Sequence, residues 1–253
     1  MNKAMKLKLP KKMTPEFAEF LGILIGDGSV YDFTDPKNKR RRLIEIVGHS
    51  INDRAHFESK IIPLFKVLFN MNVTLFQRND QNVIFVRCQS KGLFNFLKDV
   101  GMNIGPKNDI KIPEIILKNK KFIVPFVRGL YDTDGSLALK KRHKKYKYYP
   151  TITMKLKSET IIQQVAFELN CLGFSFCRYV DIVDDGTGKK HVGYKIDLNG
   201  KRNLEKWMKL IGFNNPKHLL KVARCRDIYA KGKVQLYSES IIKKQVGRVR
   251  VSR

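Results

Sequence analysis

The chain has no run of 18 apolar residues, the length a membrane-spanning helix requires, and no stretch with the charge, apolar and small-residue pattern of a signal peptide. The expectation is an intracellular protein with no membrane partner. Cysteine is scarce. Cys88, Cys171, Cys177 and Cys225 are scattered without a CxxC pair, and the five histidines form no zinc-like spacing with them, which excludes zinc-finger and disulfide frameworks. Acidic residues are few: 23 Asp+Glu stand against 50 Lys+Arg. A formal charge of +27 repels itself unless a polyanion screens it, so the expected partner is nucleic acid. At 43% apolar content the 253 residues suffice for one large core or two small ones, and global disorder is excluded.

What is present is a duplication. "FAEFLGILIGDGSV" at 17–30 is an apolar run that ends on a carboxylate between two glycines, and "FVRGLYDTDGSL" at 126–137 repeats its spacing. Aligned on Asp27 and Asp134, Gly22 falls over Gly129, Gly28 over Gly135 and Ser29 over Ser136. A second landmark is matched too. "FLKDVGMNIGPKN" at 96–108 resembles "WMKLIGFNNPKHL" at 207–219, which places Lys107 80 residues after Asp27 and Lys217 83 residues after Asp134.

Between the landmarks both halves predict the same elements. Thr14, Pro15 and Glu16 form a helix start, followed by a stripe of Phe17, Phe20, Leu21 and Leu24. Strand pairs follow at about 29–34 and 41–49, then 136–141 and 150–157, each pair leading to a helix at 51–69 or 158–172. Two further strands come next in each half, at 72–78 and 82–90, then 174–183 and 192–199, and closing helices at 91–100 and 201–211. The expected fold is α/β (α+β), built from two α-β-β-α-β-β-α units.

Alternation assigns faces. In "TITMKLK", Ile152, Met154 and Leu156 point one way, and Thr151, Thr153, Lys155 and Lys157 the other. In "YKIDLN", Tyr194, Ile196 and Leu198 join the core, leaving Lys195, Asp197 and Asn199 on the wet row. Such a row carries the donors and acceptors that read base edges in a major groove. Arg41, Glu45, Arg87 and Gln89 are the counterparts expected in the first half.

"LGILIGDGS" and "RGLYDTDGS", each followed by a β-β-α-β-β-α pattern, resemble the two motifs of a single-chain LAGLIDADG homing endonuclease over about residues 12–225. The resemblance implies two motif helices packed at a pseudo-twofold axis in a monomer, a saddle-shaped antiparallel sheet surface, and double-stranded DNA as partner. It implies Asp27 and Asp134 as catalytic metal ligands, the carbonyls of Gly26 and Thr133 as further ligands, and Lys107 and Lys217 as basic residues beside the reacting phosphates. Paired carboxylates suit Mg²⁺, with Mn²⁺ also expected to serve, because a metal both activates water and stabilises the leaving oxyanion. The family's remaining peripheral position falls at His49 in one half and Lys157 in the other. Ser29, Tyr31, Ser136 and Lys140, on the strands after each motif, complete the expected DNA-contacting set. The function implied is site-specific cleavage of a long asymmetric duplex of about 20 base pairs.

On this reading 12–100 is the first LAGLIDADG unit, 101–120 a connector, 121–230 the second unit and 231–253 a basic tail with five basic residues in its last eleven. "DTDGS" also resembles the start of a calcium loop, but the twelfth position from Asp132 is His143, which supplies no bidentate carboxylate. Met1, without Cys or Ser in first position, favours an independently translated protein over an intein remnant. Three alternatives stay open: an RNA-binding maturase on the same fold, a non-cleaving DNA-binding regulator, and a nonspecific basic binder.

Overall fold

The computed structural model describes residues 6–78, 81–142, 146–188 and 190–231, and most of the basic tail lies outside these. The chain divides into two compact units, Met1–Thr133 and Asp134–Arg253.

In the first unit, α1 (Pro15–Gly26) starts as the sequence predicts. The Thr14 hydroxyl accepts from the Phe17 amide at 3.2 Å, Pro15 occupies the first turn, and Glu16 sits at the positive end of the helix dipole. Every residue from Phe17 to Gly26 is buried, because α1 is covered on several sides. One side meets β1 (Gly28–Thr34) and the composite helix formed by α2 (Arg54–His56), a π-helical turn (Phe57–Ile61) and α3 (Ile62–Phe69). Another meets α6 (Ile123–Thr133), the helix of the second motif. Gly22 faces the backbone of Phe126 and Leu130, and Gly129 that of Glu19 and Ile23, so the two helices touch main chain to main chain. Phe20 packs edge-on against Phe65 and Phe69, with ring centroids 5.2 and 5.0 Å away.

β1, β2 (Arg40–His49), β3 (Leu75–Arg78) and β4 (Val83–Gln89) form an antiparallel sheet in the order β1-β2-β4-β3, and α4 (Lys91–Asp99) closes the repeat. The stretch expected as a connector carries structure of its own: α5 (Glu114–Leu117) and a 3₁₀ turn (Lys120–Phe122) lead directly into α6. The second unit repeats the order. β5 (Gly135–Arg142), β6 (Tyr146–Leu156), β7 (Cys177–Asp184) and β8 (Lys190–Asn199) form a sheet ordered β5-β6-β8-β7. Against it pack α7 (Glu159–Cys171), α8 (Lys201–Leu210) and α9 (Pro216–Lys231). Its core centres on Trp207, whose indole N–H donates to the Gly212 carbonyl at 3.0 Å.

Three of the departures from expectation have local reasons. The helix predicted over 51–69 loosens into a π turn just before Pro63, which has no N–H to bond back into the preceding turn. The strand expected from 72 begins only at Leu75. Asn70 ends α3 in the left-handed conformation (φ 53°), and the amide of Met71 turns back to the Phe65 carbonyl. β7 likewise begins at Cys177 rather than 174, because the amides of Gly173 and Phe174 close α7 onto Asn170 and Leu169.

Candidate functional site

Asp27 is the C-cap of α1 and is half-buried. Its carbonyl accepts the Val47 amide at 3.0 Å, which fixes the turn from helix to sheet. Gly28 is required beside it, since a Cβ there would lie 2.4 Å from Leu24 Cδ1 and 2.6 Å from the Leu24 carbonyl oxygen. The glycine after the carboxylate therefore serves the close fit of strand on helix.

An aspartate at a helix C-terminus sits where the dipole is negative, and α1 has no basic residue in its last turn. The compensating charge comes from far along the chain. Lys107 Nζ donates to the Ile25 carbonyl at 2.6 Å and also to the Gly26 carbonyl. The Gly26 oxygen expected to face a metal thus accepts from an ammonium here. Donors for a hard cation are present, namely the Asp27 carboxylate and the Gly26 carbonyl, all oxygen. They are too few for a cage: among the described residues no group of three or more His, Cys, Asp or Glu could hold a metal ion. The set fits an ion such as Mg²⁺, which uses one or two carboxylates and completes its shell with water and phosphate.

In the second motif Thr133 ends α6, its hydroxyl bonded to the Gly129 and Leu130 carbonyls at 3.1 and 2.9 Å, and Asp134 follows directly before β5. Lys217 lies in the first turn of α9. There the Asn215 side chain accepts the Lys217 amide at 3.1 Å and Pro216 occupies the first position. The two matched lysines are therefore carried differently, one on a loop and one on a helix.

The face of the first sheet bears Ser29, Tyr31, Arg41, Glu45, Arg87 and Gln89, as alternation predicts. Glu45 is nearly covered: directly opposite it in register, Arg87 Nε donates to its carboxylate at 2.7 Å. Arg41 bonds Asp35 at 2.8 Å and Gln89 at 3.2 Å. The sequence reading missed the aromatic part of this face. Phe33 and Phe76 are 46% and 47% exposed, Phe76 stacks on Phe85 at 5.4 Å, and Arg87 and Arg78 lie over the Phe85 ring at 5.0 and 5.7 Å. The same alternation that selects Tyr31 and Arg87 selects Phe33 and Phe85. His49 closes β2, its Nδ1 accepting the Ile51 amide at 3.2 Å, so its ring is engaged in the turn.

On the second sheet Ser136, Lys140, Lys155 and Lys157 are exposed, but two expected contact residues are not. Thr151 is fully buried and its hydroxyl donates to Asn199 at 3.1 Å; Asp197 is 6% exposed and accepts from Thr153 at 2.6 Å and Tyr179 at 2.8 Å. Alternation fixes the side of a sheet but not the depth, and these short side chains on central strands are overlaid by longer neighbours. Burial pushes the Asp197 carboxyl up. The bonds from Thr153 and Tyr179, with Lys195 and Lys140 nearby, outweigh it and hold Asp197 below the usual carboxylate range. Lys155 pairs with Asp181 at 2.9 Å, and Lys195 lies over the Tyr179 ring at 5.1 Å. Tyr179, also missed, is thus central to this face.

Comparison with known proteins agrees with this geometry. A family model described as a LAGLIDADG-like domain matches residues 121–212. The structure of I-DmoI in complex with DNA and Ca aligns with TM-score 0.57 and 21% identity, covering 78% of this chain and 88% of that one. The LAGLIDADG meganuclease I-AabMI bound to uncleaved DNA aligns with TM-score 0.54 and 15% identity, covering 95% and 99%. The chain has the LAGLIDADG homing-endonuclease fold. Among curated proteins it is 23% identical over 209 residues to a glutamine–fructose-6-phosphate aminotransferase of Methanocaldococcus jannaschii, and 24% identical over 234 residues to a DNA polymerase of the same organism. These matches cover 82% and 87% of this chain but only 17% and 13% of the two relatives.

Proposed function

We propose that this chain is a site-specific double-stranded DNA endonuclease that hydrolyses phosphodiester bonds with Mg²⁺ or Mn²⁺ at an asymmetric target of about 20 base pairs. The observation that carries the reading is the carboxylate at the wrong end of a helix. Asp27 caps the negative end of α1, an arrangement that costs stability by itself and becomes favourable beside a cation. The duplicated motif puts Asp134 in the matching position after α6. A divalent ion at such a carboxylate lowers the pKa of attacking water and stabilises the leaving oxygen. Around it, the chain's own residues bind and orient: the exposed rows of the two sheets meet the duplex, and Lys107 and Lys217 supply charge near the phosphates.

The similar solved structures support this reading, since I-DmoI forms crystals in complex with DNA in the presence of Ca, Mn or Mg. The curated relatives support it indirectly. An aminotransferase and a polymerase have unlike chemistries, and each resembles this chain over a small part of its length, so neither named activity explains what is shared. The test is incubation with a library of long duplexes and Mg²⁺, followed by sequencing of the ends produced. Recurrent ends inside one long asymmetric sequence are expected. Specific binding without any new ends would overturn the assignment of cleavage.

A further inference from the structure

The cation that closes α1 is part of the protein. The last carbonyls of a helix have no partner within it, and in α1 two of them, Ile25 and Gly26, accept from the single ammonium of Lys107. That lysine is carried by a built loop. The Gly105 amide donates to the Val30 carbonyl at 2.8 Å, and the Asn103 side chain donates to the Pro106 carbonyl at 2.7 Å. Leu24, Val30, Met102 and Ile110 line the space around it, and its free volume of about 10 Å³ holds roughly one water. The ammonium cannot share the Gly26 oxygen with a divalent ion without strong repulsion.

We infer that Lys107 is an internal cation that caps α1 until a divalent ion takes the Gly26 carbonyl, so that metal entry and release of Lys107 from the helix end are one exchange. This rests on the reading of Asp27 and Gly26 as metal ligands. The exchange keeps the helix end neutralised throughout, and it delivers a freed ammonium to the neighbourhood of the phosphates only when metal is in place. The inference concerns the first motif, where Lys107 sits on a loop; Lys217 is carried by the first turn of α9.

The test uses the full chain without DNA and Mn²⁺ titrated to saturation. In the wild type, acylation of each lysine by an amine-reactive ester is followed by mass spectrometry, and metal affinity is measured by calorimetry for wild type, Lys107→Met and Asp27→Asn. Labelling of Lys107 should rise severalfold on adding Mn²⁺. Lys107→Met should melt at lower temperature without metal yet bind Mn²⁺ about tenfold more tightly, because a like charge has been removed from the site. Unchanged Lys107 labelling in metal-saturated wild type overturns the exchange whether or not the variant folds, and so does equal or weaker binding by a folded Lys107→Met. If Asp27→Asn binds Mn²⁺ as wild type does, the metal site itself is misassigned. If Asp27→Asn abolishes binding while Lys107 labelling never changes, the site stands and only the exchange fails.

Discussion

Gly22 and Gly129 hold α1 and α6 at backbone contact: a Cβ on Gly22 would fall 2.1 Å from the Phe126 carbonyl oxygen, and one on Gly129 would fall 2.2 Å from that of Glu19. Neither obstacle is a flexible side chain, so the helices themselves must separate. Gly22→Ala or Gly129→Ala should therefore cost about 1–3 kcal/mol or more, despite the better helix propensity of alanine. Gly92 in α4 is the control. Its added Cβ meets only the tip of Leu7, at 2.8 Å, and Gly92→Ala should be neutral or stabilising. Denaturant midpoints of the three variants check this; equal effects at all three positions would contradict it.

The same helix pair carries a buried ion network. Glu19 of α1 is 1% exposed and meets Arg128 of α6 at 3.1 Å and Lys60 at 2.8 Å. Burial pushes its carboxyl up, but Arg128 and Lys60 together prevail and hold it below the ordinary value. A depressed folded pKa contributes stability that is present above the unfolded value of about 4.3 and is lost as pH falls through the folded one. Glu19→Gln should cost about 3–5 kcal/mol near neutrality, because the buried negative charge that Arg128 and Lys60 share is removed, and should flatten the acid limb of the stability profile below about pH 5. Urea midpoints from pH 3 to 7 measure both.

The duplicated motifs, the succession of helices and strands in each unit and the close helix pair were legible in the sequence because they rest on spacing: Asp27 over Asp134, Gly22 over Gly129, and period-two alternation along β2, β4, β6 and β8. Depth was not. Thr151 and Asp197 lie on the predicted face yet are buried, since nothing in the local sequence of β6 or β8 records that Asn199, Tyr179 and Lys195 reach over them. Nor does spacing show that Lys107 reaches back 82 and 81 residues to the Ile25 and Gly26 carbonyls that end α1, because that contact depends on the course of the loop around Gly105.

Cysteine accessibility offers an independent check on the groove face. Burial pushes the Cys88 thiol up to about 12 and the Cys225 thiol up to about 11, which leaves both inert near neutral pH. Cys171 and Cys177 are exposed. Cys177 stands opposite Asp197 in register, on the face proposed to meet DNA, whereas Cys171 ends α7 in the helical layer. Alkylation at pH 8 should modify these two alone, and bound duplex should protect Cys177 but not Cys171. Equal protection of both would place the DNA elsewhere.

Specificity should follow exposure along β6. Lys155→Ala, at an exposed position, should cost about 1–3 kcal/mol in binding and relax preference at one or two base pairs of one half-site. Thr151→Ser keeps the buried bond to Asn199 and should leave the preference unchanged. Binding profiles over single-base variants of the target, measured in Ca²⁺, compare the two substitutions directly. A profile altered by Thr151→Ser and untouched by Lys155→Ala would reverse the assignment.

The most direct measurement of the central claim is double-strand cleavage of the selected target in Mg²⁺ by wild type, Asp27→Asn and Asp134→Asn, with binding of each followed in parallel. Both variants should bind the duplex nearly as well as wild type, since one carboxylate among 50 Lys+Arg contributes little to affinity, and both should fail to produce double-strand ends. Full cutting by either variant would contradict the assignment of these two aspartates to the chemistry.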